Sequence, residues 1–504
     1  MTAEQAVADG PWAPDWGRWP QTQALRWRAV VASNAAGQHA LLADRPADRL
    51  LVQLVESQWQ QPVRWLQCPA ADVDRWLAEG GMQFRALRQL GTEGQAPASA
   101  DETYEIAPHC LDDTSSPVVV LLDAVLHDAL VDDVSDIHIE RNALGADIRF
   151  RIDGVMLGIR RVDGAAMAER VISRLKVMAE LDIGERRLPQ DGRFRLRMPG
   201  RVVDLRLSIM PTLFGEDAVL RILDRMRGAD SRQVISLDGL GFDETARRDL
   251  RALARLPHGM LLITGPTGSG KTTTLYALLS EIRTGQEKIV TIEDPVEMQL
   301  EGVTQIPVNE RKGLDFARGL RSILRHDPDR VMVGEIRDSE TAQIAVQAAL
   351  TGHLVFSTVH ANNALDVIGR FLHMGLDPYH LVSSLSAVLA QRLMRMNCMH
   401  CSESVAPDAA ILARYGIDAQ GQSFRRGLGC AQCRGTGYRG RRAVSELLKL
   451  DDGLRDLIAG RAPSAQIKAY TRASGMVSLR DNALGWVCQG LTTFEELQRV
   501  TLAE

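Results

Sequence analysis

"GMLLITGPTGSGKTTTLYALLSEI", residues 259–282, runs from an apolar stretch through a glycine-rich loop into helix-like sequence. The loop "GPTGSGKTT" (265–273) has the spacing G-x-x-x-x-G-K-[ST]. Its glycines let the backbone curl so that successive N–H groups face an anion, and the following helix start adds positive partial charge. That geometry needs a strand before the loop and a helix after it, and both flanks fit. Gly265, Pro266, Thr267, Gly268, Ser269, Gly270, Lys271, Thr272 and Thr273 are expected to cradle the phosphates of ATP. Lys271 is expected to reach the β- and γ-phosphates, and the Thr272 hydroxyl to ligate Mg²⁺.

Outward from the loop, "KIVTIE", "RVMVGE" and "HLVFST" repeat the apolar-run pattern between helical stretches. Such alternation, beginning near Leu240, implies a parallel sheet covered by helices on both faces. "RVMVG" ends in Glu335, where a carboxylate can orient the water that attacks a phosphoryl group. The place just before it, where P-loop ATPases usually carry a second acid, is Gly334. Three other acids, Glu293, Asp294 and Glu297, follow "KIVTI" at a strand's carboxyl end, where α/β folds bind ligands. The alternative is a helix-capping acid cluster before Pro295. His353 and His360 flank "LVFST"; each reads equally as a site residue or as a satisfied histidine beside a strand.

At 504 residues the chain is too long for one core, and two to four domains are expected. A hydrophobic fraction of 45% and a charged fraction of 24% are those of a globular protein. A formal net charge of −5 and a pI near 6.2 argue against bulk nucleic-acid binding. The first residues lack a secretory signal, no run of 18 apolar residues occurs, and a cytoplasmic location is expected. Residues 1–90 hold most of the eight tryptophans and read as a docking domain. Residues 91–117, with six acids and no Lys or Arg, read as a flexible linker. Residues 118–228 read as an α+β domain, with "DG" at Asp153–Gly154 as a hairpin turn. Residues 240–504 form the ATPase domain.

Within the ATPase domain, Cys398/Cys401 and Cys430/Cys433 are two C-x-x-C pairs in the stretch 396–442. Two such knuckles close a tetrahedral Zn²⁺ site, and four thiolates leave no open position, so the metal is structural. A redox dithiol would need no second pair. Cys68, Cys110 and Cys488 are unpaired by spacing. Between 425 and 442 stand six arginines and no acid. This stretch suits either an anionic lipid surface or a set of glycine turns with solvated charges.

"GPTGSGKTT", "TIEDPVE" (291–297), "LRSILRHDPDRVMVGEIRD" (320–338) and "TGHLVFSTVHANNA" (351–364) together resemble the secretion ATPase superfamily. That superfamily serves type II secretion, type IV pilus extension and retraction, and DNA uptake. "SDIHIE", "RIDG", "RLPQDGR" and "DLRLSIMPTLFGEDAVLRIL" resemble its preceding domain. The resemblance implies a RecA-like ATPase domain behind an α+β, PAS-like domain, in a homo-hexameric ring. It makes Gly334 before Glu335 normal and brings Glu293, Asp294 and Glu297 to the magnesium and water. It implies that Arg206 and Arg221 reach the nucleotide, that Arg321, Arg325 and Arg337 support the site or its interfaces, and that His360 belongs to the site. The four-cysteine element resembles that of type II secretion ATPases. The expected partner is the cytoplasmic domain of an inner-membrane secretion platform protein, with the chain peripheral to that membrane. A type IV pilus-extension ATPase is the alternative machine, and a nucleic-acid-binding zinc-ribbon motor the alternative class.

Overall fold

The computed structural model describes residues 116–198, 201–223 and 236–501. Ahead of these it describes residues 12–14, 24, 29–33, 39–44, 51–52, 55–56, 64–69, 72–73, 76 and 104–105. The chain divides into two compact units, Met1–Asp224 and Arg225–Glu504.

The first unit opens with β1 (Ala13–Pro14), β2 (Ala29–Ser33), β3 (His39–Ala43) and β4 (Arg64–Gln67), side by side in that order. Buried Val30, Val31 and Leu41 pack there against Leu51, Val55 and Val73. The expected strand "PVRWLQ" contains β4; the remainder of the 1–90 reading lies largely outside the described residues. So does most of the linker reading, but Tyr104–Glu105 (β5) pairs in parallel with Leu196–Arg197 of the next sheet.

That sheet has the order β5-β9-β10-β11-β6-β7-β8. Its strands are β6 (Asp136–Asn142), β7 (Gly145–Ile152), β8 (Val155–Asp163), β9 (Gln190–Met198), β10 (Arg201–Thr212) and β11 (Gly215–Leu223). Asp153 and Gly154 join β7 to β8 with φ of 49° and 81°, the positive pair that a type I′ hairpin turn requires. Helices α1 (Pro117–Val131) and α2 (Ala165–Met178) cover one face. Leu122, Leu126, Ile137, Phe150, Val171 and Leu175 form the core beneath them. Period-two alternation buries Val203, Leu205, Leu207 and Ile209 of β10 and turns Arg206 and Ser208 outward.

In the second unit the sheet order is β14-β13-β15-β16-β12-β17-β20. The strands are β12 (Gly259–Thr264), β13 (Ile289–Glu293), β14 (Thr304–Pro307), β15 (Arg330–Val333), β16 (Leu354–Val359), β17 (Leu385–Asn397) and β20 (Tyr438–Lys449). All neighbours are parallel except β17 and β20. Helices on both faces make the central strands apolar throughout, as in "MLLI" of β12, every residue of which is buried. The helices are α3 (Glu244–Leu253), α4 (Lys271–Ile282), α5 (Phe316–Ile323), α6 (Ser339–Leu350), α7 (Ala364–His373) and α8 (Pro378–Ser384). After β17 come β18 (Ser402–Ser404), α9 (Ala409–Tyr415) and β19 (Arg425–Gly427), carried as an insert between β17 and β20. Then α10 (Asp452–Ala459), α11 (Ser464–Ala473), α12 (Leu479–Cys488) and α13 (Phe494–Val500) follow. Among the described residues no helix is long and apolar enough to cross a membrane.

Candidate functional site

The loop between β12 and α4 sits at the carboxyl edge of the parallel sheet. Gly265, Gly268 and Gly270 take φ of 150°, 78° and 86°, conformations that a side chain disfavours. At Gly265 a Cβ would also lie 2.4 Å from the Gln391 carbonyl oxygen. Lys271 is buried, and its Nζ donates to the carbonyls of Gly265 (2.8 Å) and Pro266 (3.2 Å). Burial lowers its affinity for a proton, which the field of Glu335 partly restores and that of Arg392 lowers further. The Ser269 hydroxyl is buried without a hydrogen-bond partner. Thr272 and Thr273 are exposed at the start of α4. A curled loop with an ammonium and an unpartnered hydroxyl is the donor set that a triphosphate takes.

Glu335 follows β15 at the same edge. One carboxylate oxygen takes a 2.5 Å hydrogen bond from Arg337 Nη2, and the other lies 3.4 Å from His360 Nε2. Burial and the Lys271 charge lower the His360 pKa from its ordinary value, against the pull of Glu335. Gly334 has a steric reason. Its N–H donates to the Ile292 carbonyl at 2.8 Å, and a Cβ would stand 3.3 Å from that oxygen and 3.4 Å from Glu293 Cα. An acid there would press on the end of β13.

Glu293 is 2% exposed. It accepts from the Tyr276 hydroxyl, from Thr291 Oγ1 at 2.5 Å and from Gln305 Nε2 at 3.0 Å. Burial, then the bond to Glu293, push the Tyr276 hydroxyl above its ordinary pKa. Asp294 and Glu297 stand exposed just beyond. The structure thus separates the three acids into a buried anchor and two solvent-facing carboxylates.

His353 is at the amino end of β16, its Nδ1 3.0 Å from the Ala348 carbonyl, with the length of that strand between it and Glu335. Arg321 pairs with Glu340, and Arg325 bonds the Arg321 carbonyl at 2.9 Å, so both are engaged along α5 and α6. Arg206 and Arg221 are directly opposite one another on β10 and β11 of the first unit. Both are exposed, and Arg221 Nε bonds Asp136 at 2.9 Å.

The four cysteines converge. Sγ–Sγ distances are 3.8 Å for Cys398–Cys430, 3.7 Å for Cys401–Cys433 and 3.7 Å for Cys430–Cys433. A tetrahedron with Zn–S bonds of about 2.3 Å has edges of about 3.8 Å, so the thiols fit Zn²⁺. Burial opposes ionisation of Cys433, but N–H groups of Cys430 and Gly437 outweigh it and bring the thiol to about 7. Burial pushes Cys401 up to about 12.

A family model described as "Type II/IV secretion system protein" matches residues 112–499. The chain belongs to that family. This secretion protein is 46% identical to a putative type II secretion system protein E of Escherichia coli (strain K12), over 93% of this chain and 94% of that one. It is 46% identical to a type II secretion system ATPase E of Vibrio cholerae, over 77% and 76%. Among solved structures it is similar to the Legionella pneumophila ATPase DotB at a TM-score of 0.57 and 20% identity, over 79% of this chain and 99% of that one. That last likeness speaks to the fold. The secretion protein carries the α/β fold and the four-cysteine cluster that the sequence analysis expected.

Sequence reasoning missed Gln391, which is 1% exposed on β17. Its Nε2 donates to the Ser269 carbonyl at 2.7 Å, and its Oε1 accepts from Thr274 Oγ1 at 2.9 Å. It missed Arg392 beside it as well. Neither belongs to a phosphate-loop spacing; only the pairing of β17 with β12 brings them to the loop.

Proposed function

We propose that the chain is a type II secretion ATPase that hydrolyses ATP at the 265–273 loop to drive pseudopilus assembly and protein export. The supporting observation is the juxtaposition at one sheet edge of the glycine loop and Lys271 with a carboxylate, Glu335, oriented by Arg337 and His360. The named relatives supply the machine. On this reading the chain works as a cytoplasmic homo-hexamer, peripheral to the inner membrane, and pushes on the cytoplasmic domain of a platform protein. Anionic lipid is a candidate contact of the arginine-rich stretch 425–442; nucleic acid is not an expected partner.

The loop's N–H groups and Lys271 hold the β- and γ-phosphates. Glu335 orients a water in line with the γ-phosphorus and takes its proton as the new P–O bond forms and the bond to ADP breaks. Thr272 would hold Mg²⁺, which would offset phosphate charge, and the exposed carboxylates of Asp294 and Glu297 would shape its surroundings. Glu293, with its oxygens already engaged, sets the shape of this edge. Arg221 and Arg206 are the candidates for supplying cationic help to the phosphates. Cys398, Cys401, Cys430 and Cys433 would hold Zn²⁺ as a structural clasp.

Single-turnover ATP hydrolysis and nucleotide binding test the assignment. Lys271→Ala should lose affinity and activity together. Glu335→Gln should bind ATP and leave it unhydrolysed, with kcat down on the order of 10²–10⁴. Near-normal turnover in Glu335→Gln would sink the role given to this carboxylate.

A further inference from the structure

β17 pairs with β12 as far as Ala390, opposite Thr264, the last residue of β12. Gln391 and Arg392 therefore extend past the carboxyl edge of β12, alongside the phosphate loop. The Gln391 bond to Ser269 fixes that placement, and the Gln391 carbonyl oxygen stands where a Cβ on Gly265 would fall. Alternation along the strand then sends Arg392 to the opposite face from Gln391. There its Nη2 donates to the carbonyl of Asn362 at 2.8 Å, and Nη1 donates to the carbonyl of Gln391 at 3.2 Å. Asn362 lies two residues after His360, the residue that reaches Glu335. Arg392 thus stands between the phosphate loop and the loop that carries His360.

No carboxylate among the described residues comes within ion-pair distance of Arg392, and its other N–H groups have no acceptor there. The acid whose field it feels, Glu446, has its two oxygens bonded to the N–H groups of Ala364 and Leu479, at the starts of α7 and α12. Half-buried and partly desolvated, Arg392 loses some of its affinity for its proton, and its charge in turn depresses that of Lys271. Two cations of which one depresses the other's protonation repel, and a polyanion that bonds both removes that cost. A guanidinium fork is the donor that matches phosphate geometry.

We propose that Arg392 is a phosphate-binding residue, donating from within the same chain to the polyphosphate of the nucleotide held by the 265–273 loop. This rests on the ATPase reading given above. Its backbone bonds hold the guanidinium in place beforehand, so little side-chain entropy is lost when the anion arrives. The bland alternative is a clamp on the 360–363 loop, with no ligand contact.

Titration calorimetry on the full chain with Mg²⁺ separates the two, using AMP-PNP, inorganic tripolyphosphate and AMP as probes. Arg392→Met should weaken AMP-PNP and tripolyphosphate about tenfold or more and leave AMP nearly unchanged. Arg392→Lys, which keeps the charge, should recover part of the loss. Should Arg392→Met fail to fold, Arg392→Gln carries the same expectation, since it keeps a donor for the Asn362 carbonyl. Unchanged AMP-PNP affinity in the variant overturns the proposal. So does an equal loss for AMP and AMP-PNP, which is the mark of a loop clamp. Wild-type protein that fails to bind AMP-PNP would instead sink the ATPase reading itself.

Discussion

Replacing Gln391 measures how the phosphate loop is held from outside. Gln391→Ala removes a 2.7 Å bond to the Ser269 carbonyl and a 2.9 Å bond from Thr274 Oγ1, both buried. The Ser269 carbonyl is left without that donor, at a cost of about 1–3 kcal/mol. Thr274 retains its 3.2 Å bond to the Gly270 carbonyl, so its loss is smaller, about 0.5–1 kcal/mol. The vacated volume adds roughly 1 kcal/mol, because the flanking strand backbone cannot collapse into it. The sum is about 2.5–5 kcal/mol, a fall of roughly 5–20 °C in melting temperature for a domain of this size. A loop that has lost its outer strut should also bind AMP-PNP more weakly, on the order of tenfold, because ordering it is now charged to binding.

Gln391→Glu sharpens the test, since it keeps the shape and loses the donor. Its carboxylate would set an oxygen 2.7 Å from the Ser269 carbonyl, where only a protonated acid can bond. The folded-state pKa of this introduced acid should therefore be raised. The stabilising contribution is present below the unfolded value of about 4.3 and is lost as pH rises through the folded value. Gln391→Glu should melt like Gln391→Ala at pH 7.5 and recover toward pH 5. Scanning calorimetry with and without AMP-PNP reads both effects. A Gln391→Ala protein that melts within about 2 °C of wild type and binds AMP-PNP normally would show that the glycines and α4 shape the loop unaided.

Three further outcomes are expected. Purified protein should contain a single Zn²⁺ per chain, and Cys398→Ser or Cys430→Ser should lower stability or export more than intrinsic ATP hydrolysis; metal analysis finding no zinc would end that claim. Arg221→Ala should bind ATP yet hydrolyse it on the order of 10³ more slowly, and mixing it with Lys271→Ala chains should restore some activity if the arginine crosses a subunit interface. Full activity of Arg221→Ala alone would remove it from the mechanism. His360 is held below its ordinary pKa by burial and the Lys271 charge, so the folded state takes up its proton later than the unfolded state does. Stability should fall as pH drops through the ordinary value of about 6.5 and on through the lower folded one. In His360→Gln the melting temperature should depend less steeply on pH over that range; identical slopes in the two proteins would refute it.

The parallel sheet was legible because a strand buried on both faces must be apolar throughout, and "GMLLIT", "KIVTIE" and "HLVFST" are short apolar runs bounded by loops and helices. The glycine loop and the four-cysteine cluster were legible because each is local: its chemistry fixes its spacing. What was hidden is long-range. "LSAVLAQRLMRMN" is rich in Leu, Ala, Met and Arg, all good helix formers, yet it is strand β17. Pairing with β12 on one side and β20 on the other overrides that preference. Gln391 and Arg392 were invisible for the same reason, since no motif within the strand announces the neighbour that gives them work. Glu293 is a further case. Its place at the end of an apolar run is visible in the sequence, but its burial is not, because Tyr276 and Gln305, 17 and 12 residues away in sequence, engage its carboxylate.

The pairing of β17 with β20 gives the four-cysteine insert a mechanical position that its sequence does not reveal. β17 touches the phosphate loop at Gln391 and ends at Asn397, whose neighbour Cys398 is the first thiol of the four-cysteine cluster. At about 3.3 Å per residue, the loop contact and the cluster lie roughly 23 Å apart along one continuous strand. β20 returns antiparallel beside it, and Arg395 ties the pair to α13 through buried Glu496 at 2.8 Å while stacking 4.1 Å over the Tyr438 ring. A strand laddered to β20 along this length transmits displacement better than a loop does, because its ladder must shift as a unit or break. A load on the insert should therefore be felt at the Ser269 carbonyl before it is felt at Glu335, which follows β15, beyond both β12 and β16 in the sheet. On that reasoning, loosening the insert should raise the Kd for AMP-PNP more than it lowers kcat. Cys430→Ser protein in which kcat falls while nucleotide affinity holds would place the connection elsewhere.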